Sequence, residues 1–211
     1  MTGLRAEIAT TASFDVGRVK GPWETNVSLF ASKVDHAVRL VDSTAAIDRM
    51  QLINVNGPTR TQGAELLARY RRNDFVVTGS YVFMDSTEPA GIQGARRIVP
   101  LTPKHTAGFV AMWEQHGRGR VGLEAYYTGK QELDGNPYRN RGSSYVELGA
   151  LGEITVGKVS WFLNLENILN VRQTDYHPMV RTQRANDGRW TVDAWAPNDG
   201  FVVNGGVRLK F

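Results

Sequence analysis

Phe201-Val-Val-Asn-Gly-Gly-Val-Arg-Leu-Lys-Phe211 is the stretch that decides the fold. Taken at every second residue it yields two faces. Phe201, Val203, Gly205, Val207, Leu209 and Phe211 form one; Val202, Asn204, Gly206, Arg208 and Lys210 form the other. A period of two belongs to a strand, whose successive side chains point to opposite sides. The first face is apolar to the last residue, while the second carries amide and cationic groups. A strand with lipid on one side and water on the other has a reason to be divided this way.

The same period runs upstream. Nine strands are predicted, near residues 4–16, 23–40, 51–71, 75–85, 105–114, 120–129, 144–154, 159–167 and 201–211. Val121, Leu123, Ala125 and Tyr127 alternate with Gly122, Glu124, Tyr126 and Thr128; Trp161, Leu163 and Leu165 alternate with Ser160, Asn164 and Glu166. Val76, Val82, Met84 and Phe162 break the parity. Val, Tyr, Phe, Trp and Thr collect in the strands, and Gly, Pro, Asn and Asp in the connections. Connections near 18–22, 72–74, 115–119 and 155–158 are short; those near 41–50, 86–103, 131–142 and 168–200 are long. Membrane barrels have short periplasmic turns and long external loops. On that basis the last strand runs inward and ends in the periplasm. Bacterial single-chain barrels have even strand counts, so nine strands read as the closing part of a larger barrel.

Composition agrees with this fold class. The apolar fraction, 41%, is low for a packed globule, and glycine is frequent at 22 of 211 residues. No apolar run is long enough for a transmembrane helix, a test that does not touch β-barrels. The absence of cysteine removes disulfides and thiolate metal sites. No secretory leader is visible at Met1. The formal charge of +4 is scattered, which argues against nucleic acid as a partner.

Motifs for chemistry are thin. Gly117-Arg-Gly-Arg-Val-Gly122 has dinucleotide-loop spacing, but strand alternation follows where a helix is required. It reads as a hairpin turn. His36, His105, His116 and His177 lie in four separate segments. No nucleophile–base pair or paired carboxylates stand out, so neither an enzyme nor a cofactor is expected.

Four stretches carry a resemblance: Asn54-Val-Asn-Gly-Pro-Thr-Arg-Thr-Gln-Gly-Ala-Glu65, Val99-Pro-Leu-Thr-Pro-Lys-His-Thr-Ala-Gly108, Asn164-Leu-Glu-Asn-Ile-Leu-Asn170 and Asn204-Gly-Gly-Val-Arg-Leu-Lys-Phe211. In order and spacing they resemble the C-terminal barrel portion of a TonB-dependent outer-membrane receptor. The third looks like the family's penultimate strand and its exit. The last looks like the terminal strand read by the barrel-assembly machinery. The resemblance covers residues 1–211 and implies an all-β, antiparallel transmembrane barrel, about nine C-terminal strands of about 22. It implies a Gram-negative outer-membrane location and energised uptake of a scarce ligand such as a ferric siderophore, haem or cobalamin. The family's plug domain and TonB box have no counterpart in the sequence. Contact with the TonB complex is therefore expected only through the plug and N-terminal strands, which this chain lacks. Two other readings stay open: a passive porin-like or barrel-anchored outer-membrane protein, and a soluble β-sandwich binding module.

Three residue groups follow. Glu65, Arg69, Glu124, Glu147, Asn164, Glu166, Arg208 and Lys210 have polar parity and are expected to face the lumen or plug. Trp23, Trp113, Tyr127, Trp161, Phe201 and Phe211 have apolar parity near strand ends, as in aromatic girdles at a lipid interface. In loop 168–200, Arg172, Tyr176, Arg181, Arg184, Arg189, Trp190 and Trp195 suit an anionic or planar ligand by paired hydrogen bonds and stacking.

Overall fold

A computed structural model describes residues 3–42, 50–90, 94–182, 184–185 and 188–209. Its strands are β1 (Ile8–Lys20), β2 (Trp23–Asp35), β3 (Val38–Asp42), β4 (Met50–Asn54), β5 (Thr59–Arg72), β6 (Phe75–Pro89), β7 (Arg96–Ile98), β8 (His105–Gln115), β9 (Gly119–Thr128), β10 (Tyr145–Val156), β11 (Val159–Glu166) and β12 (Val202–Leu209). Nine of them form one antiparallel path, β1-β2-β5-β6-β8-β9-β10-β11-β12; β7 pairs with β6, and β3 and β4 make a separate hairpin. Every main pairing joins neighbours along the path, as in an up-and-down barrel. Within the described residues β1 and β12 each pair on one side only.

One end of the sheet is made of tight turns. Gly21-Pro22, Asn73-Asp74 and Gly157-Lys158 are two-residue links. Gly21, Asn73 and Gly157 have φ of 57°, 51° and 62°, the left-handed conformation that hairpin turns require. The opposite end carries the long connections, so the predicted rhythm of short and long is present.

Some predicted boundaries are corrected. The first strand lies later, at Ile8–Lys20. The second stops at Asp35, because His36 turns the backbone to φ 59°. The long third strand is two elements: β4 belongs to the hairpin and β5 to the main sheet. Part of the loop expected at 86–103 extends β6 to Pro89 and forms β7.

The register sorts side chains into two faces. Leu29, Ala64, Phe83 and His105 share one rung, and Val77, Ala111, Leu123 and Ala150 another. This face carries exposed Phe14, Val27, Leu66, Phe109, Leu163 and Val207. Among the described residues the only buried hydrophobic side chain is Trp195, which lies in a loop. A water-soluble domain buries its large apolar residues, and this sheet displays them.

The opposite face is polar, and two of its apolar members have a packing reason. Phe30 pairs with Gly63 and Phe162 with Gly206. A Cβ on Gly63 would stand 2.5 Å from the Phe30 ring, and one on Gly206 would stand 2.9 Å from that of Phe162. Each ring covers a glycine on the neighbouring strand, which explains why Phe162 departs from strict parity.

Candidate functional site: the long-loop cap and the polar face

Two connections, 129–144 between β9 and β10 and 167–201 between β11 and β12, pack together at the long-loop end. Their centre is Trp195, 5% exposed. Its Nε1–H donates to His177 Nε2 at 2.7 Å. His177 Nδ1 lies 2.8 Å from the Pro178 carbonyl oxygen. A neutral imidazole protonated at Nδ1 satisfies both bonds. The indole ring also meets Tyr176 at 5.4 Å and the Arg139 guanidinium at 5.9 Å. Gly142 lies beneath it, where a Cβ would stand 2.7 Å from the ring.

Gln173, fully buried, ties the loop to itself. It lies in a short 3-10 turn, Gln173–Asp175. Its Oε1 accepts from Trp195 N at 2.7 Å and Ala196 N at 3.3 Å, and its Nε2 donates to Asp193 O at 2.5 Å. Gln131 donates across from the other loop to Trp195 O at 2.5 Å. Tyr138 stacks on His177 at 5.1 Å and donates to Val180 O at 2.6 Å.

The strand exit that enters this cap is built by asparagines. Asn167 and Asn170 have φ of 46° and 54°. Asn167 accepts from Val171 N at 2.9 Å and donates to Val171 O and Asp199 O at 2.8 and 3.0 Å. Phe201 N donates to Asn170 Oδ1 at 3.0 Å, fixing the entry to β12. Asparagine tolerates left-handed backbone and pairs with nearby main chain, so the stretch following β11 makes a defined corner.

Charges link the cap to the neighbouring loops. Arg97 binds Asp134 through two nitrogens at 2.8 and 2.9 Å and Glu88 through Nε at 2.8 Å, and Arg39 also pairs with Glu88. Hydrogen bonding from Arg97 holds the Asp134 carboxyl below its ordinary pKa and raises that of Arg97. Arg181 pairs with Asp193 at 3.6 Å, and Asn136 donates to the same carboxylate at 2.5 Å.

The expected ligand-contact residues fall into different settings. Trp195 is interior to the cap, and Tyr176 is half-buried against it. Arg181 is engaged with Asp193, although its buried Nε has no partner among the described residues. Arg184 lies over Trp190 at 4.7 Å, and both are exposed. Arg172 and Arg189 are exposed on the same loop.

On the polar face, Glu65, Arg69, Glu124, Glu147, Asn164, Glu166 and Arg208 all share the parity opposite the apolar rungs. Glu166 accepts from Asn164 at 2.6 Å and Asn204 at 3.2 Å. Arg208 approaches Glu153 at 3.5 Å, and Arg120 binds that carboxylate at 2.8 Å. Arg120 and Glu153 are missed by sequence reading, although their parity is visible there. Trp23, Trp113 and Trp161 lie on the apolar face towards the tight turns, with Trp23 beside Tyr70 at 4.8 Å. Tyr127 and Phe201 lie towards the long loops. Lys210 and Phe211 fall outside the described residues.

An apolar outer face, a polar inner face and up-and-down pairing define a transmembrane β-barrel sheet. The TonB dependent receptor-like β-barrel family matches residues 2–168, and the chain belongs to that family. Membership places it in the outer membrane. Solved structures of similar fold include the ferric-catecholate import receptor Fiu from E. coli K12, with 16% identity and a TM-score of 0.65 over 99% of this chain and 28% of that one. The copper transporter OprC matches at 16% identity and a TM-score of 0.68, over 99% of this chain and 32% of that one. The ferric enterobactin receptor PfeA from Pseudomonas aeruginosa matches at 14% identity and 0.70 over the same shares. The chain therefore spans about a third of the length of these receptors. Among curated proteins no sequence matches. Among the described residues no group of three or more His, Asp or Glu is placed to hold a metal.

Proposed function

We propose that the chain is the closing section of an outer-membrane receptor for TonB-dependent uptake of a metal chelate or similar scarce ligand. The observation that carries this reading is correspondence along the whole chain with receptors and transporters of that kind. Two features support it. The inner face bears paired charges such as Arg120–Glu153–Arg208, which suit contact with a plug better than an open water path. The long-loop end presents Arg172, Arg184, Arg189 and Trp190 at its surface, a set suited to an anionic, planar chelate. Glu65, Arg69, Glu124, Glu147, Asn164 and Glu166 complete the lumen or plug-facing set, to which Lys210 is assigned by its parity in the sequence alone. The aromatic residues at strand ends anchor the barrel in outer-membrane lipid. Preceding strands and a plug, supplied outside this chain, close the sheet, because lipid does not tolerate open strand edges. Coupling to the TonB complex runs through that plug, and the C-terminal strand β12 is what the barrel-assembly machinery engages.

The test is uptake of radiolabelled ferric catecholate, haem and cobalamin by cells whose only route is the receptor carrying this chain. Accumulation that stops when TonB is deleted or the proton gradient is collapsed is expected for at least one ligand. Entry unaffected by either treatment would establish a passive pore instead. Protein folded in the soluble fraction without detergent would overturn the membrane reading.

A further inference from the structure

At the long-loop end the outward face carries cations for which the ladder alone gives no reason. Lys33 on β2 lies directly opposite Arg60 on β5, at the long-loop end. Like charges opposite one another destabilise a sheet. Lys33 is tied to Asp35 at 2.8 Å. The Arg60 side chain is exposed and makes no hydrogen bond or ion pair with any described residue. Arg96 on β7 enters the same region with its charge unbalanced. Its nitrogens donate only to neutral oxygens, those of Thr87 at 2.8–3.1 Å and the Pro58 carbonyl at 3.1 Å. The carboxylate that lines the groove, Asp85, is already paired with Lys104 at 2.5 Å.

Together Lys33, Arg60 and Arg96 border a groove of about 480 Å³ whose wall includes Ala12 and Ala31. The depth of the groove matters as much as its charge. Two rungs below the Lys33–Arg60 pair, about 14 Å along the strand, come Leu29, Ala64 and Phe83, with Phe14 opposite Leu29. Phe14, Leu29 and Phe83 are exposed. Outward cations are costly in mid-bilayer and almost free at its surface. The groove therefore lies at the headgroup level of the external leaflet, and the apolar wall continues from it into the acyl region.

We propose that this groove seats the phosphate of an anionic lipid of the external leaflet, with its acyl chains lying over Phe14, Leu29 and Phe83. A free anion would gain only the cations. A lipid-borne phosphate gains the cations and the apolar wall together, and its negative charge relieves the Lys33–Arg60 repulsion. The proposal rests on the outward face meeting lipid, and it is independent of which ligand the receptor takes up.

The receptor carrying this chain, extracted from outer membranes in mild detergent, is examined by native mass spectrometry for retained lipid. It is then titrated with a phosphorylated glycolipid, with the same lipid after dephosphorylation, and with inorganic phosphate. Each surface cation contributes about fivefold to the affinity for an anionic lipid. The Lys33→Gln/Arg60→Gln variant is therefore expected to bind the phosphorylated lipid on the order of thirty-fold more weakly. Lys33→Arg/Arg60→Lys should bind as wild type, and Arg69→Gln on the opposite face should have no effect. Heat-modifiable gel mobility verifies that each variant is folded. Equal binding of the dephosphorylated lipid by the wild-type receptor would overturn the proposal without any variant. So would undiminished binding by the folded double glutamine variant. Inorganic phosphate competing as well as the lipid would show a simple anion site and overturn the lipid assignment. Loss of lipid from the double glutamine variant with uptake intact is the expected result, and it separates this site from the transport function.

Discussion

Replacing Leu163 by Arg asks the sheet which side faces lipid. Leu163 lies on β11 between Trp161 and Leu165 on the apolar face, and its rung partners are Gly152 and Gly205. It is 49% exposed, and neither rung partner carries a side chain to cover it. Val159 opens the strand at the tight-turn end. Four residues of strand separate the two, about 14 Å along the chain, or about 10 Å in height at a tilt of roughly 40°. An apolar band about 25 Å tall then puts Leu163 close to its middle. An arginine there costs about 2–4 kcal/mol, roughly a thirty- to seven-hundred-fold shift in the folding equilibrium at about 1.4 kcal/mol per tenfold. Asn164, one residue on, points to the polar face and hydrogen-bonds Glu166. Asn164→Arg keeps a polar group beside that carboxylate and is expected to change stability by less than about 1 kcal/mol. The assay is denaturant titration of the full receptor in lipid vesicles, read by heat-modifiable mobility and intrinsic fluorescence. Destabilisation by Asn164→Arg with tolerance of Leu163→Arg would refute the assignment of faces.

Other expectations concern the cap. Gly142→Leu drives a side chain into the Trp195 ring, so external proteolysis between residues 129 and 201 should accelerate in intact cells while barrel mobility on gels stays unchanged. Trp195→Ala empties the centre of the cap and should cost it about 3–5 kcal/mol, seen as faster amide exchange in both loops. The Asp134 carboxyl has a folded-state pKa below its unfolded value, so its pairing with Arg97 stabilises the loops above about pH 4 and that contribution fades as pH falls through the depressed value. Asp134→Asn should abolish this acid-induced rise in loop exchange. Asn167→Ala removes three hydrogen bonds and a tolerated left-handed residue, and is expected to raise the mobility of the β11 exit, measured by exchange at Val171 and Phe201.

The sheet was largely legible because one rule, the two-residue period, holds wherever lipid meets one face. β8, β9, β11 and β12 were placed to within about two residues since their alternation is clean and turn residues bound them. The strands expected at 23–40 and 51–71 overrun β2 and β5 because period two carries on into another hairpin. The alternation through Val38–Asp42 and Met50–Asn54 is still that of strands, and only the left-handed His36 ends the main sheet. The cap was not legible. Its order comes from single contacts at long separation, such as Gln131 with Trp195, and no period announces them. In the sequence Trp195 reads as a ligand contact alongside Trp190 and the loop arginines, because a tryptophan in a polar loop looks the same whether it faces a ligand or a buried glutamine.

The bond from Gln131 to Trp195 joins residues 64 apart, with the whole β10–β11 hairpin between them. A closed cap therefore requires both ends of that hairpin to stand side by side at the long-loop end, with β9 leading into one connection and β11 into the other. A cell-surface protease that cuts only an open cap would then report on the pairing of β9, β10 and β11 beneath it.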